Sequence, residues 1–177
     1  LTSDHDGILH CAVRKAIRAY RYARISAEIA AVELVEEEFT KYMVQAFGNA
    51  YAALETAKDE HSVNPDFPKL FEVSHAAARD MLISAARLIG YRHGVGEFEF
   101  TLSDESELGV VVASRQLVSW IDVFSKDLCR FWEGEAWARD DFYALNIHVE
   151  RILWANGIIL WREPDGHGTM IMVAPQS

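Results

Sequence analysis

Between residues 7 and 65 the chain carries no proline and one interior glycine, Gly48, and its charges there are sorted by sign. Arg14, Lys15, Arg18, Arg21 and Arg24 follow one another without an acid, and Glu28, Glu33, Glu36, Glu37 and Glu38 then follow without a base. Residues 8–59 are rich in Ala, Glu, Arg and Leu, which favour helix. The first 62 residues are therefore expected to form one long helical segment or a helical hairpin. Leu9, Val13, Ala16, Tyr20, Ala23, Ala27, Ala30 and Leu34 keep the spacing of one helical face. A second stripe, Val32, Val35, Phe39, Tyr42, Ala46, Ala50, Leu54 and Ala57, has the same spacing and a different phase. One unbroken helix would be about 75–80 Å long, more than globular helices usually reach. A break is expected near Ser26, a good N-cap with Glu28 in the turn after it.

Asn64-Pro65-Asp66 and Pro68 mark a linker over residues 61–68. A buried helix is expected from 69 to 89, ended by Gly90, Gly94 and Gly96. Residues 97–102 alternate apolar and polar and read as a strand, as does Val110-Val111-Val112. Ser114 reads as the cap of a helix reaching Trp132, and Asp140 or Asp141 as the cap of another through Ala155, closed by Asn156-Gly157. Residues 158–162 and 169–173, around Pro164-Asp165-Gly166, read as a hairpin. The expected fold class is α+β, mostly α. Long N-terminal helices pack with a Trp-rich part, residues 63–177, that ends in a β-hairpin, and the two parts either stand apart or share one core.

A net charge of −10 over 177 residues argues against general affinity for nucleic acid or anionic membranes. No apolar run approaches the ~20 residues that span a bilayer. Cys11 and Cys129 have no metal or redox spacing, so reduced thiols and a cytoplasmic location are expected. The acidic, polar residues 1–7 do not read as a signal peptide. No cofactor motif is found, neither a phosphate-binding loop nor a nucleophile elbow.

The sorted charges admit three readings: a solvated face, a self-complementary antiparallel pair in a homodimer, or phosphate contacts with Tyr20 and Tyr22 nearby. The solvated face is the plain reading but does not explain the sorting; of the two sharper ones the pair is favoured, with the apolar stripes supplying affinity and the charges supplying register. Trp132 and Trp137 flank an acidic turn and are candidate anchors for a protein partner. Glu72 and His75 have the Glu-x-x-His spacing of di-iron bundles, but no second copy exists, so a surface cluster is the expectation.

Residues 148–174 run as helix, Asn156-Gly157-Ile158-Ile159, Arg162, Pro-Asp-Gly and a returning apolar strand. This order resembles the recognition helix and wing of winged-helix regulators. Such regulators usually carry Arg or Lys on both elements. Here Arg151 stands against Asp140, Asp141 and Glu150, and the turn begins Glu163-Pro164-Asp165. The turn over 133–139 is also longer than a helix-turn-helix uses. With these departures the resemblance implies a protein-contacting version of that fold. The function expected from all of this is a non-catalytic, oligomeric interaction or regulatory protein that binds itself and a protein partner through helical surfaces. A winged-helix-like nucleic-acid-binding regulator and a small enzyme with an unrecognised site are the alternatives.

Overall fold

The proline-free stretch forms two helices. The computed structural model describes residues 4–29, 33–103, 105–134, 139–162 and 169–174. Helix α1 (Asp4–Ile29) runs past Ser26, which lies exposed inside it, and α2 (Glu33–Val63) follows. The break therefore falls after Ile29, where the phase of the apolar stripe changes. On α1 the expected stripe is buried from Leu9 to Ala27. On α2 the buried seam is Met43, Phe47, Ala50, Leu54 and Ala57, while Tyr42 is 41% exposed. At these positions the stripe is thus displaced by one residue, with the wholly apolar Met43 in place of Tyr42 and Phe47 in place of Ala46 on the inward side.

Helix α3 (Phe67–Gly94) starts where the linker signals place it. The Asp66 carboxylate accepts the Lys69 backbone N–H at 3.0 Å, and Pro68 sits in the first turn, where no N–H is needed. The helix does not stop at residue 89 but continues through Gly90 to Gly94. Those glycines are contact points with α1. A methyl group on Gly90 would overlap the Tyr20 carbonyl, and one on Gly94 would overlap the Arg24 carbonyl and lie 2.7 Å from Ala27 Cβ. Residues 20 and 24 meet 90 and 94 in the same order, so α1 and α3 run parallel. Ala12, Ala16, Ala23 and Ala27 on one helix and Ala78, Ala85 and Ala86 on the other are buried and keep side-chain bulk low. Helix α2 runs antiparallel to α3, with Glu36 against Arg92, Phe39 against Tyr91 and Tyr42 against Arg87.

The second half departs from expectation in its short elements. Residues 97–102 form no strand, and among the described residues the sheet has two strands only. Their alternation instead reflects packing over the end of α3, with Phe98 beside His93 and Phe100 beneath Arg92. Val110 to Val112 are helical, within α4 (Glu107–Ala113). Ser106 caps that helix by accepting from Gly109 N at 3.0 Å, and Leu108 and Val112, one turn apart, face the core. A turn through Gln116 delays α5 (Val118–Glu133) to four residues beyond Ser114. The next expected helix is divided into α6 (Arg139–Ala144) and α7 (Asn146–Ala155). Gly157, at φ 73°, closes α7 as expected. β1 (Ile158–Arg162) and β2 (Thr169–Val173) pair antiparallel in the register Ile158 to Val173 through Arg162 to Thr169. Pro164-Asp165-Gly166 lies outside the described residues.

The fold is α+β and mostly α, with a C-terminal hairpin. One buried apolar cluster extends from Leu9 of α1 to Leu160 of β1, so both parts of the chain feed the same core. Among the described residues no single helix is long and apolar enough to cross a membrane. α4 and α5 together have that length, but they are bent by 102° and their Leu108, Val112, Ile121 and Phe124 are buried.

The α1–α3 contact makes a direct prediction. Gly90→Ala and Gly94→Ala should each lower stability by at least ~1–3 kcal/mol, since a methyl there pushes backbone from backbone. Gly48→Ala, on an open face of α2, should raise it by roughly 0.5–1 kcal/mol. Urea midpoints of the three variants check this ordering.

Candidate functional site

The parallel contact sets Tyr20 and Arg24, one turn apart on α1, over the C-terminal end of α3. The sequence groups Arg24 with Arg14, Lys15, Arg18 and Arg21 in one acid-free run. Arg24 lies only about 40° around the helix from Tyr20, however, and falls on the buried face. The structure leaves it 8% exposed. Its guanidinium lies 4.5 Å from the centre of the Trp132 ring and 5.6 Å from that of Phe98. Its Nε is 3.5 Å from Glu28 Oε1. Arg24 Nη1 donates to the Tyr20 hydroxyl at 2.7 Å.

A longer chain of polar contacts continues from that bond, and one choice of proton positions pairs it throughout. With its oxygen accepting from Arg24, Tyr20 gives its proton to His93 Nδ1 at 2.9 Å. His93 then carries its proton on Nε2 and donates it to Ser125 Oγ, also at 2.9 Å. The relay Arg24–Tyr20–His93–Ser125 thus ties α1, α3 and α5 together inside the protein. In the sequence Gly90, Gly94 and Gly96 make His93 read as part of an exposed turn, but it is 3% exposed, because α3 continues through it. Burial first, and the neighbouring Arg24 cation second, hold its pKa down to about 4. Burial pushes the Tyr20 phenol up to about 12 against the opposing pull of Arg24.

With these proton positions Ser125 is not activated. His93 Nε2 holds a proton where a serine-activating histidine needs a lone pair. The nearby Cys129 donates to Glu133 Oε1 at 3.5 Å, and burial together with that carboxylate pushes its thiol pKa up. Arg24 Nη1, Tyr20, His93 and Ser125 are joined to one another through these contacts, and the relay holds three helices in register.

The other expected site residues are distributed differently. Arg14, Lys15, Arg18 and Arg21 are exposed on the outer face of α1. None forms an ion pair among the described residues, whereas Lys41, Lys69 and Lys126 lie 2.6–2.8 Å from carboxylates. Tyr22, Ile25 and Ile29, at 73%, 41% and 81% exposure, extend that face toward the helix end. Tyr20 is fully buried, on the opposite side. Trp132 is half-buried and serves as a wall for Arg24, while Trp137 lies outside the described residues. Glu72 is exposed, and His75 is stacked on Phe71. Among the described residues no group of three His, Cys, Asp or Glu could hold a metal ion.

Reading the sequence missed His93 and Ser125. The available signal was the four-residue spacing of Gly90 and Gly94 within a helical pattern, which marks close helix contact as readily as a helix end. No protein-family model, curated protein or solved structure matches the chain.

The pH dependence of His93 follows with a definite sign. The folded state keeps the imidazole neutral down to about pH 4, whereas the unfolded chain binds a proton near 6.5. Its contribution is therefore complete above pH 6.5 and is lost as pH falls toward 4, amounting to roughly 3 kcal/mol. Urea unfolding of wild type and His93→Gln at both pH values should show that much less pH dependence in the variant.

Proposed function

We propose that this chain is a non-catalytic interaction or regulatory protein that docks an acidic protein partner through the outer face of α1. The observation that carries this reading is the unpaired set Arg14, Lys15, Arg18 and Arg21. The chain has ten more acids than bases, yet residues 8–27 contain no acid. These cations are thus left without the i,i+4 partners that an ordinary solvated helix would supply. A complementary surface from outside can neutralise them. Tyr22, Ile25 and Ile29 continue the face with apolar area, which suits a protein better than a phosphate backbone. The net charge of −10 repels nucleic acid as a whole.

Two further observations support docking of a partner other than a second copy. The α1 apolar stripe, which was to give a homodimer its affinity, is used against α3. Glu28, Glu36 and Glu37, which were to meet the cations of a second copy, engage Arg24, Arg92 and Lys41 of the same chain. The hairpin adds a second apolar surface. Trp161, Met170 and Met172 share its outward side at 38%, 38% and 42% exposure, and methionine adapts well to a partner. That placement accords with a protein-contacting version of the winged-helix arrangement over residues 148–174.

The test compares wild type with Arg14→Gln/Lys15→Gln/Arg18→Gln/Arg21→Gln for binding to a fluorescent peptide of alternating glutamate and leucine clusters. Wild type should bind, at least about tenfold more tightly than the variant, and lose affinity steeply as salt shortens the screening length. Equal binding by the two proteins contradicts the proposal, as does tighter binding to mixed-sequence duplex DNA. Disappearance of a dimer in the variant would instead point to a second copy as the partner.

A further inference from the structure

A groove of about 790 Å³ lies between the α4–α5 turn, α5 and α7, within the size range of small-molecule sites. It is separate from the outer face of α1 and does not depend on the docking proposed there.

The groove holds polar groups that the protein itself leaves unused. His148 Nε2 donates to Asp127 Oδ2 at 3.0 Å, and the ring is 2% exposed. Burial drives this imidazole toward its neutral form, so Nδ1 is an acceptor. That nitrogen is buried and has no hydrogen-bond partner. The same holds for Trp120 Nε1, an N–H donor on a residue 6% exposed. Both residues line the groove. A buried polar atom without a partner costs about 1–3 kcal/mol, and native proteins tolerate few of them. Arg151, also on the wall, is exposed and forms no ion pair among the described residues. Trp154 adds a flat apolar surface that is 45% exposed.

The rim carries a fourth sign. Gln116 has φ 56°, in the left-handed region where glycine is the usual residue. Its N–H bonds to Ala113 O at 2.9 Å, and Leu117 N bonds to Val112 O at 3.1 Å, the two bonds that close α4. Glycine would fill this position with less strain. A glutamine held there at a cost of order 1 kcal/mol places an amide on the wall of the groove.

We infer that this groove binds a small aromatic carboxylate that also carries a hydroxyl or N–H group. The Trp154 face takes the ring, and Arg151 takes the carboxylate. The Gln116 amide adds a donor, and binding shifts the wall enough to bring Trp120 Nε1–H and His148 Nδ1, both closed to water, within reach of the ligand's polar group. Binding does not involve a covalent step.

The probes are 4-hydroxyphenylacetate and indole-3-acetate, titrated calorimetrically into the intact protein, with 4-hydroxyphenylacetamide as the uncharged control. At least one acid should saturate with a Kd below about 1 mM. The amide and the Arg151→Gln variant should each bind at least about tenfold more weakly. Gln116→Gly should raise the urea midpoint and still weaken binding, which separates loss of the site from loss of the fold. Failure of both acids to saturate overturns the inference, and so does unchanged affinity in either variant.

Discussion

The backbone of α1 touches the backbone of α3 at two places, Tyr20 against Gly90 and Arg24 against Gly94, and no side chain larger than hydrogen fits between them. Most of the arrangement follows from this approach. It brings two parallel helices close enough for their alanines to mesh, and it fixes the rotation of α1 about its axis. Rotation decides which cations go in and which stay out. Arg24 is turned under Trp132 and Phe98, where the Tyr20–His93–Ser125 chain receives it. Arg14, Lys15, Arg18 and Arg21 are turned to water. A run that looks uniform in the sequence is thereby divided into one structural cation and four free ones.

Legibility in the sequence tracks the length and periodicity of each element. The long helices, the linker at Asp66 and the terminal hairpin could be read because cap residues, proline and alternation agreed there. The short elements could not. Val110 to Val112 look like strand by propensity, but a serine cap and the four-residue spacing of Leu108 and Val112 make them helix. Phe98 and Phe100 alternate because they pack on His93 and Arg92, with no neighbouring strand to pair with. Gly90 and Gly94 misled most. Glycine near the end of a helical pattern suggests a stop, whereas here it permits the contact that buries His93. A buried polar relay depends on residues 20, 24, 93 and 125 meeting in space, and no single segment carries that pattern.

Inside the protein, strong polar groups are largely matched to one another. Lys58, for example, is held between Glu55 Oε1 at 2.8 Å and the Asn156 carbonyl at 3.1 Å, and Glu55 also accepts from Arg115 at 2.8 Å. These contacts tie α2 to the start of α5 and to the end of α7. Among the exceptions in the described residues are the exposed cations on the outer face of α1 and two buried atoms of the groove beside His148. The first belong to the surface proposed to dock a large partner, and the second to the groove inferred to bind a small molecule. A regulatory protein needs both kinds of surface if a small ligand is to influence a larger contact.

The account turns on the division among the five cations, and a set of single substitutions measures it. Arg14, Lys15, Arg18, Arg21 and Arg24 are each replaced by glutamine, and the free energy of unfolding is taken from urea titration at pH 7. Arg24→Gln should lose roughly 2–3 kcal/mol, because it strips a charge-assisted bond and two ring contacts from a buried site. The other four should stay within about 0.5 kcal/mol of wild type. A neutral Arg24→Gln, or losses of similar size at all five positions, would contradict the rotation of α1 from which the rest is derived.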